Sequence, residues 1–378
     1  MSAVPLPTDD AFMAAALTLG RRNLGAAAPN PAVGALVVRD GVIVGRGATA
    51  IGGRPHAETL ALAAAGDATR GATLYVTLEP CSHHGATPPC AEAIIAAGIA
   101  RVVAALEDPD PRVAGRGFAM LRAAGVEVVS GVRASDARRD HLGHILRTQH
   151  NRPMVTLKLA QTPDGYAAAG LHDPRLHITG PTADAYTHMQ RSLHDAIMVG
   201  AGTARADDPL MTVRIPGYAQ NQRLRVVLDA KLALSPRSRL AQTARETPTL
   251  VLVGDTATQD ARAAFEAATG AETAPVALDA NGRLDLAAAL AVLAARGVTR
   301  VFSEGGPRIG SALILAGFAD AVILHTGIKP LGREGRPALS DAARAALADA
   351  SRYVVTEEAP LGEDRMKRYE KADACSPE

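Results

Sequence analysis

The sequence contains no tryptophan, only 3% aromatic residues and almost no excess of either charge. Forty basic residues stand against 39 acidic ones, which gives a net charge of +1. So neutral a chain has no general attraction for a polyphosphate backbone, and so few aromatic rings provide few platforms for stacked bases. These absences argue against a nucleic-acid partner.

Long apolar runs, a basic N-terminal leader and a cysteine framework are also missing. No stretch approaches the roughly 20 apolar residues that a membrane span requires, and three cysteines in 378 residues do not form a disulfide scaffold. A hydrophobic content of 47% is ample for two cores. We therefore expect a cytoplasmic protein of two ordinary domains, without a membrane partner.

Three potential metal ligands and a glutamate have the spacing of a hydrolytic zinc site. His56, Cys81 and Cys90 supply one imidazole and two thiolates, and Glu58 lies two residues beyond the histidine. Three protein ligands leave the fourth tetrahedral position of Zn2+ open for water, whose pKa the metal lowers to about 7. We predict a deaminase in which Glu58 transfers the protons.

Local sequence supports this grouping. Residues 72–78 read as a buried strand that Pro80 ends just before Cys81, and Pro88 and Pro89 are suited to starting a helix at Cys90. A second helix is expected to begin at His56. Two helix N-termini facing one metal favour thiolate over thiol.

Other interpretations of these residues remain open. The two cysteines could be buried thiols, a disulfide, or ligands of a structural zinc site with a fourth protein ligand. His83 and His84 are candidates for that ligand, although a role beside the metal or the substrate is the favoured interpretation.

The periodicity predicts an α/β chain of alternating helices and strands. In the first half we expect helices at about 9–22, 56–66, 89–97 and 116–124, a hairpin at 33–48 that turns at Asp40-Gly41, and strands at 72–78, 101–106 and 126–130. The polar segment 136–152 carries no strong strand signal, so we place a domain boundary near residue 150. The second half predicts strands at about 153–160, 194–200, 223–229, 249–254, 299–303 and 320–328, and helices at 181–192, 258–268, 285–296 and 308–317.

A glycine-rich turn in the second half is a candidate phosphate site. Residues 303–311 (Ser-Glu-Gly-Gly-Pro-Arg-Ile-Gly-Ser) follow an apolar strand and open a helix, where free backbone amides can bind phosphate. The same pattern is also typical of a simple tight turn. No Rossmann fingerprint occurs, so a nicotinamide cofactor would be held by another fold.

With these motifs the chain resembles, along nearly its whole length, the bifunctional riboflavin-biosynthesis deaminase/reductase family. The resemblance rests on Pro29-Asn-Pro-Ala-Val-Gly34, His56-Ala-Glu58, residues 77–90, Val113-Ala-Gly-Arg-Gly117, Asp164-Gly165, Ile178-Thr-Gly180, Asp207-Asp-Pro, Thr212-Val-Arg214 and Glu304-Gly-Gly-Pro307. It implies an N-terminal cytidine-deaminase-like three-layer domain (1–149) and a C-terminal dihydrofolate-reductase-like domain (150–378).

The resemblance also implies site residues. Beside the zinc ligands and Glu58, it assigns NADPH contacts to Ala160, His177, Thr203, Asp207, Gly306, Pro307, Arg308, Ile309, Gly310, Ser311 and Ala312. It assigns substrate contacts to Asn30, Arg175, Arg191, Met211, Arg214 and Glu304. Lys158 and Glu304 are the polar groups expected nearest to hydride transfer, with Asp164 a weaker candidate.

Several positions depart from the family pattern. Ala86 replaces a cation, Asp110 replaces an asparagine near Asp108, and Arg175 and His177 replace a serine and a tryptophan; Ala230 replaces a serine. These departures leave open the alternative that the chain is a paralogue of this family with a weakened reductase. Such a paralogue would act on a related GTP-derived pyrimidine, such as a toxoflavin-type intermediate.

Two further classes are a nucleic-acid base deaminase, which the neutral charge disfavours, and a regulatory protein with a degenerate reductase fold. The resemblance favours the riboflavin enzyme. It implies a small phosphoribosylated pyrimidine as substrate and a homo-oligomer, dimer or tetramer, as assembly.

Overall fold

The structure is a computed structural model that describes residues 8–84, 88–170, 176–218 and 222–372. The chain forms two compact units that divide between Asn151 and Arg152. Within the described part, no helix is long and apolar enough to cross a membrane.

The first unit is a five-stranded sheet between two layers of helices. Its elements are α1 (Asp9–Arg21), β1 (Gly34–Arg39), β2 (Val42–Ala48), α2 (Ala57–Ala65), β3 (Thr73–Val76), α3 (Cys90–Ala96), β4 (Arg101–Ala104), α4 (Arg116–Ala123), β5 (Glu127–Ser130) and α5 (Ala134–His150). The strand order is β2-β1-β3-β4-β5, with β1 antiparallel to both neighbours and β3, β4 and β5 parallel.

Alternation along the strands produces the three layers. In β3, Leu74 and Val76 pack with α2, α3 and α4, whereas Tyr75 packs on the opposite face with α1 and α5. The predicted three-layer architecture and the predicted elements up to β5 are confirmed, including the hairpin turn, where Asp40 and Gly41 have positive φ angles of 51° and 76°.

Helix α5 is the element of this unit that the apolar pattern did not reveal. Its buried positions include Ala137, His141 and Ile145, four residues apart, and the middle one is polar. The helix ends at Asn151 in the left-handed conformation, a common stop signal. His141 is 2% exposed, and its buried Nε2 lies 3.1 Å from the hydroxyl of Thr77.

The second unit contains a nine-stranded sheet, also covered on both faces, and a separate sheet of two short strands. Its elements are β6 (Met154–Gln161), β7 (Tyr166–Ala168), α6 (Pro181–Ser192), β8 (Ala196–Gly200), α7 (Ala201–Asp207), β9 (Leu224–Leu228), α8 (Arg239–Gln242), β10 (Thr249–Gly254), α9 (Gln259–Thr269), β11 (Glu272–Val276), α10 (Leu286–Ala295), β12 (Arg300–Ser303), α11 (Pro307–Leu315), β13 (Ala321–Thr326), β14 (Arg336–Pro337), α12 (Asp341–Ala348), β15 (Tyr353–Leu361) and β16 (Asp364–Lys371). The separate sheet consists of β7 and β14.

The order β11-β10-β9-β8-β12-β6-β13-β16-β15 is parallel through β13, and the hairpin β15–β16 is added in antiparallel orientation. Helices α10, α11 and α12 cover one face. The predicted strands and helices of this unit are confirmed up to β13. The structure adds short elements between them and, after β13, α12 and the hairpin.

A fully buried arginine organises the loops beside β9. Arg225 is 0% exposed, and its guanidinium donates to the carbonyls of Leu210, Leu240 and Thr247 and to the hydroxyls of Thr243 and Thr249. Burial lowers its pKa to about 10, which leaves it protonated at neutral pH. Among the residues described, all the groups that accept hydrogen bonds from it are neutral, and the charge of Glu246 adds a favourable interaction over a longer distance.

We expect Arg225→Met to destabilise the second unit by about 3 kcal/mol, because several buried acceptors lose their donor at once. Arg237→Met, at an exposed position in the same region, is the control and is expected to change stability by less than about 0.5 kcal/mol. Urea unfolding of both variants measures the difference. Equal midpoints would show that the buried guanidinium contributes little.

Candidate functional site: a metal centre and a separate reductase cavity

The three predicted zinc ligands converge in the first unit. His56 is the N-cap of α2, Cys81 follows β3, and Cys90 is the first residue of α3. The Nδ1 atom of His56 lies 3.7 Å from the Cys81 Sγ and 3.4 Å from the Cys90 Sγ. All three ligand atoms lie within 4.8 Å of one another. An N,S,S set that leaves one position open fits the predicted Zn2+.

The backbone holds the two cysteines together. The amide of Cys90 donates to the Sγ of Cys81 at 3.2 Å, and the amide of Ala91 donates to the Cys81 carbonyl at 3.2 Å. Pro89 caps α3 without a side-chain hydrogen bond, which leaves these amides available. The proline pair therefore starts α3 at the point where the N-terminus of the helix contacts the thiol of Cys81.

Protons are shared unequally within the cluster. The pKa of the Cys81 thiol is lowered, first because Cys90 donates a hydrogen bond to it, and the pKa of Cys90 is raised by the same contact. The hydrogen bond with Cys81 raises the pKa of His56. One thiolate beside one thiol is therefore the metal-free state, and a divalent cation would compete for the remaining proton.

Glu58 lies in the first turn of α2 and is only 4% exposed. Burial raises its pKa to about 7, against the opposing effects of its own backbone amide and of His56. A carboxyl group that titrates near neutrality can accept and return a proton. This property suits the predicted proton-transfer role.

Asn30 is fixed beside the cluster. Its side-chain amide donates to the carbonyl of Gly53 at 2.8 Å, and the same nitrogen lies 3.5 Å from the Nε2 of His56. The predicted substrate-binding amide therefore lies on the side of the imidazole opposite the thiols.

The sequence analysis did not single out Glu79, which ties the cysteine segment to a neighbouring loop. Its buried carboxylate accepts hydrogen bonds from the amides of Asp108, Gly115 and Phe118. A side chain at Gly117 would come within 2.1 Å of the Pro80 carbonyl, so α4 packs directly on the segment before Cys81. The sequence offered one indication of this role, because Glu79 is an acidic residue that follows an apolar strand and directly precedes Pro80 and Cys81.

Two acidic residues near this loop, one of which departs from the family pattern, lie against side chains of the same chain. Asp108 lies 3.1 Å from the Nε2 of His144, on the unexpected helix α5. Asp110 forms a bidentate pair with Arg112, which lowers its pKa. The extra negative charge of Asp110 is thus balanced by Arg112. Ala86 lies outside the described residues.

Neither neighbouring histidine joins the metal group within the described part of the chain. His84 is exposed, with its ring 3.7 Å from the carboxylate of Glu92. His83 has a buried Nδ1 without a hydrogen-bond partner in the described structure.

A cavity of about 920 Å³ lies in the second unit, at the carboxyl ends of its parallel strands. It brings together most of the residues that the resemblance assigned to cofactor and substrate. These are Lys158, Ala160, His177, Arg191, Thr203, Asp207, Met211, Arg214, Glu304, Gly306 and Pro307. Arg175 lies outside the described residues.

A buried ion pair lies in the wall of this cavity. Arg191 donates from Nε and Nη2 to the two oxygens of Glu304, at 2.6 and 2.9 Å, and from Nη1 to the Thr212 carbonyl. Burial opposes ionisation of Glu304, but Arg191 and then Lys158 overcome it and lower the pKa of the carboxyl group. Glu304 is therefore anionic at neutral pH, and much of Arg191 is used to hold it.

The predicted phosphate turn is the N-terminus of α11. Gly306 is the N-cap, without a side-chain hydrogen bond, and an added Cβ would lie 2.8 Å from the hydroxyl of Thr203. A side chain at this position would therefore force the Thr203 hydroxyl to move. The free amides of the first turn, beside the open cavity, fit a phosphate group of a dinucleotide.

The later residues of the turn occupy other environments. Ile309 packs against the core, and an added Cβ at Gly310 would contact Leu159. Ser311 accepts a hydrogen bond from the amide of Ser340, Arg308 is exposed, and Ala312 is partly buried in the same helix. None of these side chains lines the cavity as described, so contact with a cofactor there would depend on backbone amides near the N-terminus.

Two other predicted positions do not line this cavity either. Asp164 accepts hydrogen bonds from the amides of Leu331 and Gly332, and a hydrogen bond from Thr162 is the first cause that lowers its pKa to about 2. Asp164 therefore holds a loop and does not face the cavity. Ala230 supplies its carbonyl to the amide of Gly254.

Several polar lining residues were missed in the sequence. They are Asp184, Thr187, His188, Arg205 and Arg336. The first three belong to α6, the helix that carries Arg191. Their positions three, four and seven residues before Arg191 place them on the same face of the helix, which could have identified them as lining residues.

Two family models match the chain, one for each unit. The model described as the cytidine and deoxycytidylate deaminase zinc-binding region matches residues 6–106, and the model described as the RibD C-terminal domain matches residues 153–358.

Curated relatives and solved structures extend the likeness over nearly the whole chain. The riboflavin biosynthesis protein RibD of Escherichia coli strain K12 is 37% identical over 369 residues, covering 94% of this chain and 97% of that protein. RibD of Bacillus amyloliquefaciens is 40% identical over 327 residues, covering 85% of each. RibD of Acinetobacter baumannii, form 1, has a TM-score of 0.84 at 31% identity and covers 96% of this chain and 98% of that one.

A structure from Thermotoga maritima has a TM-score of 0.81 at 31% identity, with the same coverage. It is described as a diaminohydroxyphosphoribosylaminopyrimidine deaminase/5-amino-6-(5-phosphoribosylamino)uracil reductase.

Purified protein is expected to carry about one zinc per chain, and Cys81→Ser or Cys90→Ser to lose both zinc and ammonia release, since each removes one of three protein ligands. Metal analysis by mass spectrometry and an ammonia assay provide the measurement. Cys375→Ser, which changes none of the three predicted ligands, is the control. Full zinc and full activity in either ligand variant would contradict the assignment.

Proposed function

We propose that this chain, which belongs to the RibD family of riboflavin biosynthesis proteins, catalyses two reactions of that pathway. The first is hydrolytic deamination of 2,5-diamino-6-(5-phosphoribosylamino)pyrimidin-4(3H)-one. The second is NADPH-dependent reduction of the ribosyl group of the product to ribityl. The observation that supports this most is that one chain contains both an N,S,S metal cluster beside a buried glutamate and a large cavity with an anionic Glu304 and Lys158.

In the deaminase unit, we assign proton transfer to Glu58. Bound zinc would activate a water molecule for attack on the ring carbon that carries the amino group. Glu58 takes a proton from the water, and protons must reach the ring nitrogen and the departing ammonia. Asn30 is assigned to hold the pyrimidine, since its amide is fixed next to His56.

In the reductase unit, we assign the polar chemistry to Lys158 and Glu304. Bound NADPH supplies the hydride, which reaches C1′ of the ribosyl group. Opening of the sugar ring breaks the bond between C1′ and the ring oxygen, and that oxygen must gain a proton. Lys158 is the proposed donor, and Glu304, held anionic by Arg191, is proposed to orient the ribosyl hydroxyls and stabilise positive charge at C1′.

The cofactor is proposed to lie between α7 and α11. Thr203, Asp207 and the amides of the α11 first turn line one part of the cavity, and Ala160 and His177 line another. Met211 and Arg214 are assigned to the substrate. We also propose a cytoplasmic homo-oligomer, because the composition fits a cytoplasmic enzyme and the family resemblance implies assembly. Light scattering after size exclusion tests the assembly.

The direct test is to incubate the protein with the diaminopyrimidinone ribotide, with and without NADPH, and to identify the products by mass. Without NADPH, the deaminated ribotide is expected to accumulate, and with NADPH the ribityl product is expected to replace it. Absence of ammonia release would refute the first assignment, and absence of NADPH oxidation the second.

Glu58→Gln is expected to retain zinc but to lower ammonia release by at least about a hundredfold, because the amide keeps the shape but cannot take up and return a proton at neutral pH. NADPH-dependent reduction of separately supplied deaminated ribotide is expected to remain, since it uses residues of the other unit. Glu92→Gln, at an exposed acidic position of α3, is the control. Ammonia release at the parent rate in Glu58→Gln would rule out the proposed proton transfer.

A further inference from the structure

His188 lines the reductase cavity, yet neither the sequence motifs nor the assigned mechanism uses it. It lies on α6, three residues before Arg191, and is only partly exposed. The two side chains are therefore on the same face of the helix. What this imidazole can donate or accept is fixed by its neighbours.

The Nδ1 atom of His188 accepts a hydrogen bond from the backbone amide of Arg214 at 3.0 Å. A nitrogen that accepts carries no proton, so the neutral ring has its proton on Nε2 and donates from there. Burial, and then the charges of Arg191 and Arg214, lower the pKa of His188, so the neutral ring predominates at neutral pH. Within the described residues, Nε2 has no recorded hydrogen-bond partner.

Positive charge beside this ring is not fully balanced. Arg214 reaches the hydroxyl of Thr212 at 3.3 Å, and none of the described carboxylates forms a salt bridge with it. Burial lowers the pKa of Arg214, and the cations of Arg191 and Arg239 lower it further. Glu304 and Asp184 raise the pKa of Arg214. Glu304, however, already accepts hydrogen bonds from the Nε and Nη2 atoms of Arg191. This part of the cavity therefore favours an anionic ligand.

We propose that His188 binds the phosphate of the phosphoribosyl substrate, donating from Nε2 alongside the guanidinium of Arg214. The same ring holds the segment that carries Arg214 through its Nδ1 atom. This inference rests on the proposed reductase function, since it names a further residue that recognises the substrate of that site. It makes His188 both a binding residue and a positioning residue.

A phosphate at this position could also come from NADPH. We assign it to the substrate because the α11 N-terminus and Thr203 already provide a phosphate environment for the cofactor, whereas Arg214 has no other assigned ligand. Separate measurements with the two ligands distinguish the sources.

Two substitutions separate the two roles of the imidazole. The side-chain oxygen of Asn occupies a position similar to that of Nδ1, and the side-chain nitrogen of Gln a position similar to that of Nε2. His188→Asn therefore keeps the acceptor for the Arg214 amide and loses the donor. His188→Gln keeps the donor. Met189→Ala, at an adjacent position that is 40% exposed, is the matched control.

The binding probe is ribose 5-phosphate, which shares the phosphoribosyl group, with ribose as its uncharged counterpart. In His188→Asn, we expect the Kd for ribose 5-phosphate and the KM for the deaminated ribotide to rise about tenfold, with kcat within about twofold, because one hydrogen bond to a charged group is lost. Met189→Ala is expected to stay within about threefold of the parent. His188→Gln is expected to show a smaller rise than His188→Asn, because it keeps the donor and loses only the acceptor for the Arg214 amide. Ribose binding and the Kd for NADPH are expected to remain unchanged.

Three results would overturn the inference. They are unchanged phosphate binding in His188→Asn, a loss in His188→Gln as large as that in His188→Asn, or a rise in the Kd for NADPH in place of the KM for the ribotide. Ammonia release by the same chain and thermal unfolding report whether each variant is folded. If His188→Gln does not fold, the comparison of His188→Asn with Met189→Ala still decides the inference. If the parent oxidises no NADPH, the proposed function fails, while ribose 5-phosphate binding still decides the role of His188.

Discussion

Both candidate sites depend on one geometric constraint: the carboxyl ends of neighbouring parallel strands meet at one edge of a sheet. In the first unit, β3 ends just before the segment that carries Cys81, where the N-termini of α2 and α3 converge. In the second, β6, β8 and β12 end around the cavity that contains Lys158 and Glu304. Residues far apart in sequence become neighbours because each lies near the carboxyl end of a strand or at the N-terminus of a helix that packs on the same sheet.

The local electrostatics differ between the two sites and suit each site to a different chemistry. Burial raises the pKa of Glu58 to about 7, which suits proton exchange beside a metal. Glu304 is also buried, but Arg191 and Lys158 keep it ionised, which suits a fixed negative charge beside a sugar. Two buried glutamates thus differ in protonation because one has a bidentate guanidinium partner and the other does not.

Much of the fold could be predicted from the sequence wherever periodicity was strong. The hairpin at Asp40-Gly41 and the strand–proline–cysteine segment are local patterns, and they appear as expected. Helix α5 was missed because polar His141 occupies a buried position of its apolar stripe. The terminal strands β15 and β16 were missed because β15 is a largely exposed edge strand, without the alternation that a buried face imposes.

By itself, the sequence determined the chemical type of the metal site, the two-unit organisation and the family resemblance, because ligand identity and strand or helix period are properties of the chain. Only the tertiary structure decided which charges pair. Asp110 is matched by Arg112, Arg191 is directed at Glu304, and the Nδ1 of His188 accepts from Arg214. The physical reason is that hydrogen bonds and ion pairs act over a few ångströms, and the folded packing alone sets which side chains lie within that distance.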